Sequence, residues 1–441
     1  MYNLLKQLST LRLGPVTPDT DVSIKILADE LPGSVVFEYD SGATHNGWVV
    51  PDNWYPKKAE IWKGSELVYD GMANPLRVIG YSDSFSGVIG LEELTQHIFT
   101  HGNRPDAEVY HCDLYYKTGL NNWGFTASQN WLNILEPGEY RVELETVREP
   151  GTMKVLEYTL PGGTDDVIVL NAHNCHAGQS NDDISGIVVG VELLRRLSKL
   201  HPRRYTYRLV IAPEHFGTVF YLASHNQQQI DNYVGGLFLE TVGNDNRLAM
   251  QSSFTGTSKM DQACELALRD TEPNFERFGF RGLIGNDETV WEAPGYEVPM
   301  PQLVRFPYPE YHSNLDTPEC IVPAKLEETV ERVLSIIDIL ERDVVMHRKF
   351  TGLIALSAPE YDLYVNPGTD PSITGASEDN AAEWYKLMTD LPRMFDGKTT
   401  VADLCLKYNL PFQQIRDYVQ KFADKELVEL EPVSMRNSAQ N

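Results

Sequence analysis

VIVLNAHNCH (167–176), RLVIAPEHFG (208–217) and GLFLETVG (236–243) share one form, a short run rich in Val, Ile and Leu that halts at His or Glu. Runs of this length with β-branched residues read as buried strands. Between the first two lies DISGIVVGVELLRRLSKL (183–200), whose apolar residues recur at helical spacing behind Asp183. The alternation extends in both directions. KVLEYTLPG precedes as a strand, and GTVFYLASHNQQQI, SKMDQACELALRD and PAKLEETVERVLSIIDILERDVVMHRKF (323–350) follow as helices, with VPMPQLVRF as a late strand. Strand–helix alternation implies an α/β fold, here a mixed, mostly parallel sheet flanked by helices.

Outside this region the pattern changes. Leu4, Leu5, Leu8 and Leu11 recur at helical spacing, so the first thirty residues predict one or two short helices. From residue 34, VVFEYDSG, WVVPDNW, AEIWKGSELVYDG, LRVIGYS and EYRVELETV are short β-rich segments broken by Gly, Asn, Asp and Pro, with LEELTQHIF (91–99) a helix among them. PGTDPSITGASED (367–379) reads as a linker. TVADLCLKY (400–408), FQQIRDYVQKFADKE (412–426) and LVELEPV then give helix, turn, helix, strand, the outline of a winged helix. The expected domains are an α/β body from 1–33 and 149–366, a β-rich insert over 34–148, and a winged helix over 380–435.

The 441-residue chain is too long for one ordinary core. Its formal net charge of -26 repels phosphate backbones and anionic lipid, which argues against nucleic acid as a partner. The five cysteines are widely spaced with no CxxC pair, as expected of reduced thiols in a cytoplasmic protein. No signal-like N-terminus and no apolar run of membrane-spanning length is present, so neither secretion nor a membrane partner is expected.

The strand ends carry the chemistry. In an open α/β sheet, functional groups gather beyond the carboxyl ends of the strands. His173 follows VIVLNA, Glu214 and His215 follow RLVIAP, Glu240 ends GGLFLE, Asp182 opens a helix, and His312 lies in YPEYHSNLDT (308–317). Imidazole and carboxylate are the ligands of hydrolytic zinc, which generates a nucleophile from water near neutral pH. A carboxylate off the metal must take the water's proton and return it to the leaving group. Adjacent Glu214 and His215 suit such a division, one facing the scissile bond and one facing metal.

Here a resemblance becomes specific. His173–Asn174–Cys175, Asp182–Asp183–Ile184–Ser185–Gly186, Glu214–His215–Phe216–Gly217, Glu240 and His312 with Asp316–Thr317 stand in the order HxD, DNxSG, EExG, Asp, His…DT. Over about 152–350 the chain resembles the zinc aminopeptidases that include bacterial leucyl aminopeptidases and, more remotely, glutaminyl cyclases. It departs from them at Cys175, His215 and Glu240, and His176 adds a second imidazole beside the first. The whole chain resembles a narrower bacterial aminopeptidase-like group, often encoded among polysaccharide-biosynthesis genes. The shared marks are Tyr115–Tyr116, Trp123–Gly124–Phe125 and the His–x–Cys–His segment.

The resemblance implies one or two zinc ions. His173 or His176, with Asp182 and Glu240, would hold one; Asp182, His215 and His312 the other; Glu214 would be the general base. It also implies a polar substrate contact at Asp287, and Tyr308 and Tyr311 beside His312 are candidates to line a pocket. Asp316 has two open readings, support for His312 or a cap on the following helix. The implied function is zinc-dependent hydrolysis of a small peptide or amide. The alternatives are a ligand-binding regulator that uses the winged helix to reach a partner or DNA, and acyl transfer or cyclisation on zinc. The second winged-helix segment sets Arg416, Lys421 and Lys425 against Asp417, Asp424 and Glu426, a balance that favours a protein partner or a homo-oligomer over DNA. His45, His97, His101, His111, His201 and His225 show no ligand pattern, and the tryptophans of 34–148 are expected to fill a β core.

Overall fold

The computed structural model describes residues 1–117, 120–272, 275–366 and 380–436. The linker expected at 367–379 lies outside the described residues. The chain forms two compact units, one of residues 1–251 and 281–330, the other of 252–280 and 331–441.

In the first unit, seven strands of one sheet run in the order Val35–Asp40, Thr152–Leu160, Thr206–Ala212, Val167–His173, Tyr233–Glu240, Gln302–Arg305 and Leu248–Gln251. The four strands from Thr206–Ala212 to Gln302–Arg305 are mutually parallel, and those on either side pair antiparallel. Strands Val167–His173 and Tyr233–Glu240 are buried at every position, which explains their unbroken apolar character. Helix Ile184–Leu197 covers one face. It lies so close that a Cβ on Gly186 would fall 2.1 Å from the Leu239 carbonyl oxygen, and one on Gly190 2.8 Å from Leu209 Cδ1. Helix Phe216–Ala223 covers the other face, against Val155 and Ala212. The α/β reading with flanking helices therefore holds.

The β-rich segment builds its own antiparallel sheet in the order Glu66–Asp70, Asn53–Lys63, Glu139–Glu149, Phe85–Gly90. Two details differ from the sequence pattern. Val35–Asp40 is the edge strand of the large sheet, and Leu76–Ser82 contributes an isolated bridge at Val78 instead of a strand. Helix Leu91–Gln96 ends before a short strand Ile98–Phe99. Trp54, Tyr69, Phe125 and Tyr140 of this segment join Val155, Val169, Val210 and Phe216 in one continuous core. The β-rich segment and the α/β strands thus lie within one compact unit.

In the second unit, Val344–Arg348 is the central strand between Asp396–Thr400 and Val428–Pro432. The helix expected to run through 350 ends at Arg342, because Val344 and Met346 bury on one side of a strand while Val345 and His347 on the other are only half-buried. Helices Ala381–Met394, Val401–Tyr408 and Phe412–Asp424 pack around Trp384, Tyr418 and Phe422. Among the described residues no helix is long and apolar enough to cross a membrane, and none of the five cysteines is in a disulfide.

Candidate active site

Three parallel neighbours end side by side. His173 closes its strand opposite Ala212, Glu214 stands two residues past Ala212, and Glu240 closes the strand on the other side. The loop before helix Ile184–Leu197 carries Asp182 to the same rim. Asn181 anchors it by accepting from the Gly243 N–H at 2.8 Å, and Ser185 by donating to the Asn181 carbonyl at 2.6 Å. Asp183, expected at the helix start, gives no side-chain cap; its Oδ2 accepts from the His173 N–H at 3.1 Å and ties loop to strand. His312 arrives on a loop pinned by the β-rich segment, through Tyr110 N–H to the His312 carbonyl at 2.8 Å and Glu108 N–H to Asn314 Oδ1 at 2.8 Å.

Three groups with metal-ligand character result among the described residues, and two of these clusters share Asp182, His173–Asp182–Glu240 and His176–Asp182–His312. His173 Nε2 lies 3.6 Å from Asp182 Oδ1, while His176 Nε2 and His312 Nε2 lie 3.8 and 3.3 Å from Asp182 Oδ2. Asp182 thus faces one cluster with each oxygen. His173 Nε2, both Asp182 oxygens and Glu240 Oε1 are buried without a hydrogen-bond partner. Each such atom costs about 1–3 kcal/mol unless something satisfies it. Lone pairs that converge unsatisfied from imidazole and carboxylate are the donor set a divalent ion needs, so these residues fit a divalent metal. Burial lowers the pKa of His173 and takes His176 down to about 3, which keeps both rings neutral as ligands must be. Burial would raise Asp182, but the close approach of His312 and the other surrounding imidazoles outweighs it and holds it at about 2. Glu240 is pushed well above its usual range by burial and then by the charges of Asp182 and Asp183. Its other oxygen accepts from Asn286 and, at 2.7 Å, from Gln302.

Glu214 stands beside the first cluster and only 15% exposed. It lies with His173 and Cys175 in a group whose ligand atoms are within 4.8 Å of one another, and Cys175 Sγ is 3.7 Å from its Oε2. Burial, then repulsion from Asp287 and Asp182, drives its pKa well above the usual carboxylate range. A carboxyl so placed can hold a proton between two steps of a hydrolysis.

Several expectations change here. His215 joins neither cluster. Its φ of +54° and the bond from its N–H to Asp287 Oδ1, at 2.6 Å, turn the ring toward Trp48, 5.9 Å away. His176 occupies the second cluster instead, its ring stacked on Tyr110 at 4.0 Å. The two imidazoles of 173–176 therefore fall in different clusters, one in each. Asp287, expected to contact substrate, is fully buried and spends its oxygens on the His215 N–H and the Thr218 hydroxyl, which holds the Glu214–His215 turn. Tyr308, expected to line a pocket, is buried and donates to Asp316 at 2.8 Å; Tyr311 stacks on His312 at 3.8 Å. Asp316 fits neither expected reading, since its contacts are with Asn181, Asp182 and Tyr308 and not with His312. It accepts from the N–H groups of Asn181 and Asp182 at 2.8 and 3.0 Å, fixing the Asp182 loop, and it caps no helix.

The family profile described as "Domain of unknown function (DUF4910)" matches residues 2–343. The chain belongs to this family. A Clostridium acetobutylicum relative is 26% identical over 98% of this chain and 96% of its own length; it bears the name "Putative polysaccharide biosynthesis protein with aminopeptidase-like domain". A crystal structure of a "putative peptidase" from the same species superposes with a TM-score of 0.81 at 24% identity, covering 98% of this chain and 96% of that one. A zinc aminopeptidase from Bacillus subtilis superposes with a TM-score of 0.57 at 12% identity over 77% of this chain and 93% of its own. The fold of this DUF4910 member is thus aminopeptidase-like.

Sequence reasoning missed Tyr110, Gln179, Asn286 and Gln302. Gln179 Nε2 lies 3.3 Å from His173 Nδ1, and its Oε1 has no partner. Turning the amide over would let the Gln179 Oε1 accept from the His173 Nδ1–H, leaving the Nε2 lone pair of His173 directed at Asp182. No local pattern marks such residues, since each reaches the site through a contact six or more positions away in the chain.

Proposed function

We propose that this chain is a zinc-dependent hydrolase of an amide or peptide bond, acting on a small substrate beside a free amine. The observation that carries the reading is the pair of clusters sharing Asp182, with unsatisfied buried donor atoms, next to the partly exposed carboxyl of Glu214. His173, Asp182 and Glu240 would hold one ion, and His176, Asp182 and His312 a second. Metal bound there would supply Lewis-acid polarisation of a carbonyl and a water nucleophile near neutral pH. Glu214 takes the proton from the attacking water and delivers it to the departing amine, which leaves as the neutral species. Cys175, close to His173, His176 and Glu214, packs between these groups as a small polarisable side chain, and burial raises its thiol pKa well above the ordinary value.

The helix–turn–helix–strand order of the second unit supports the winged-helix reading, and the balanced charge of helix Phe412–Asp424 supports a protein partner for it. The unpaired cysteines support a cytoplasmic setting.

Glu214→Gln tests the mechanism. With zinc supplied, kcat/KM on aminoacyl amides should fall by about 10²–10⁴, while metal content by atomic emission stays near wild type. A folded variant with full activity would remove Glu214 from the reaction.

A further inference from the structure

Beside the site lies a cavity of about 540 Å³ whose wall includes His215. That ring's Nδ1 is 3.7 Å from Glu214 Oε1, so the cavity opens next to the proposed base. Trp48, from the hairpin in which it pairs with His45, forms one side, edge-on to Phe216 at 5.1 Å. Val290 and Tyr296 add apolar surface. The volume falls within the range of small-molecule sites, which use broad apolar walls and a few polar groups.

The charge of the lining is unusual for this chain. The sequence carries 63 acidic and 37 basic residues, yet the cavity is lined by one arginine, Arg281, by the imidazoles of His45 and His215, and by no carboxylate. Among the described residues none hydrogen-bonds or ion-pairs with the Arg281 guanidinium; Glu288 acts on it only at longer range. The guanidinium lies across Gly285, where a Cβ would fall 2.3 Å from its Nε. An arginine with its donors uncommitted, at the wall of an aromatic cavity, is built to take a carboxylate through two parallel N–H bonds.

We infer that this cavity receives the side group of the substrate next to the scissile bond and that Arg281 selects a carboxylate there, so that acidic aminoacyl amides are the favoured class. The inference rests on the hydrolase reading for its chemistry but not for its binding. Two arms separate them. In the first, the zinc-loaded full chain is assayed on matched glutamyl and glutaminyl amides, which differ only in charge and hydrogen bonding. The glutamyl compound should lead in kcat/KM by tenfold or more, and Arg281→Met should bring the ratio close to one. In the second, calorimetry follows glutarate and its neutral diamide. Glutarate should bind the wild type and lose at least tenfold in affinity in Arg281→Met and in Gly285→Ala, where the added methyl displaces the guanidinium. Glutarate binding that depends on Arg281, with no amide hydrolysed, would uphold Arg281 as the carboxylate-selecting group of this cavity and defeat the hydrolase reading. Hydrolysis with no glutamyl preference, or a preference and glutarate affinity unchanged in Arg281→Met, would overturn the inference and leave that reading standing.

Discussion

Replacing Asp316 by Asn isolates how the Asp182 loop is held. The native carboxylate accepts from Asn181 N–H and Tyr308 O–H on one oxygen and from Asp182 N–H on the other. Asparagine preserves the shape but has a single acceptor. With its oxygen facing Asn181 and Tyr308, its amide protons meet the Asp182 N–H donor to donor. One buried N–H is left unpaired, a cost of about 1–3 kcal/mol in stability. The displaced peptide belongs to the residue that faces both clusters. Loss of such an outer support lowers metal affinity by about 10–100-fold, or roughly 1.4–2.7 kcal/mol. Urea denaturation of the metal-free protein reads the first quantity, and competition against a chromophoric zinc chelator the second. A folded D316N protein that is destabilised as expected yet binds zinc with native affinity would refute the claim that Asp316 acts on the metal through Asp182.

His176→Ala should remove about one ion equivalent per chain, whereas His215→Ala should leave stoichiometry unchanged and alter KM; equal metal loss in the two variants would restore His215 as a ligand. Asp343, buried and accepting from the Val344 and Ala402 N–H groups on one oxygen, has its pKa raised by burial from 3.8 to about 6. The folded state then keeps a proton that the unfolded chain releases, so this group's stabilisation is full below about pH 4 and lost as pH climbs through 6, by roughly 3 kcal/mol. Asp343→Asn, which retains the accepting oxygen, should flatten that part of the stability–pH curve, and an unchanged slope would exclude Asp343 as its source.

The α/β body was legible because its signals are local. A fully buried parallel strand must be apolar throughout, so VIVLNAH and GLFLE announce themselves. The residue after such a strand must stand at the sheet's carboxyl rim, which placed His173, Glu214 and Glu240 together without coordinates. The helix predicted to run through 350 failed for a related reason. A run such as DVVMH satisfies helix and strand alike until the burial of alternate residues chooses.

What sequence by itself determined is which strands carry chemical groups to a common edge, in what order, and with which atoms able to bind metal. Only the tertiary structure decided where those atoms point. His176 turns inward because Tyr110, brought by the loop that follows strand Ile98–Phe99, stacks on its ring. His215 turns outward because Asp287, seventy-two positions later, holds its peptide. Spacing along a strand end fixes the position of an α-carbon, but the direction of a side chain there is set by contacts between segments distant in the chain, and those exist only once the core has closed.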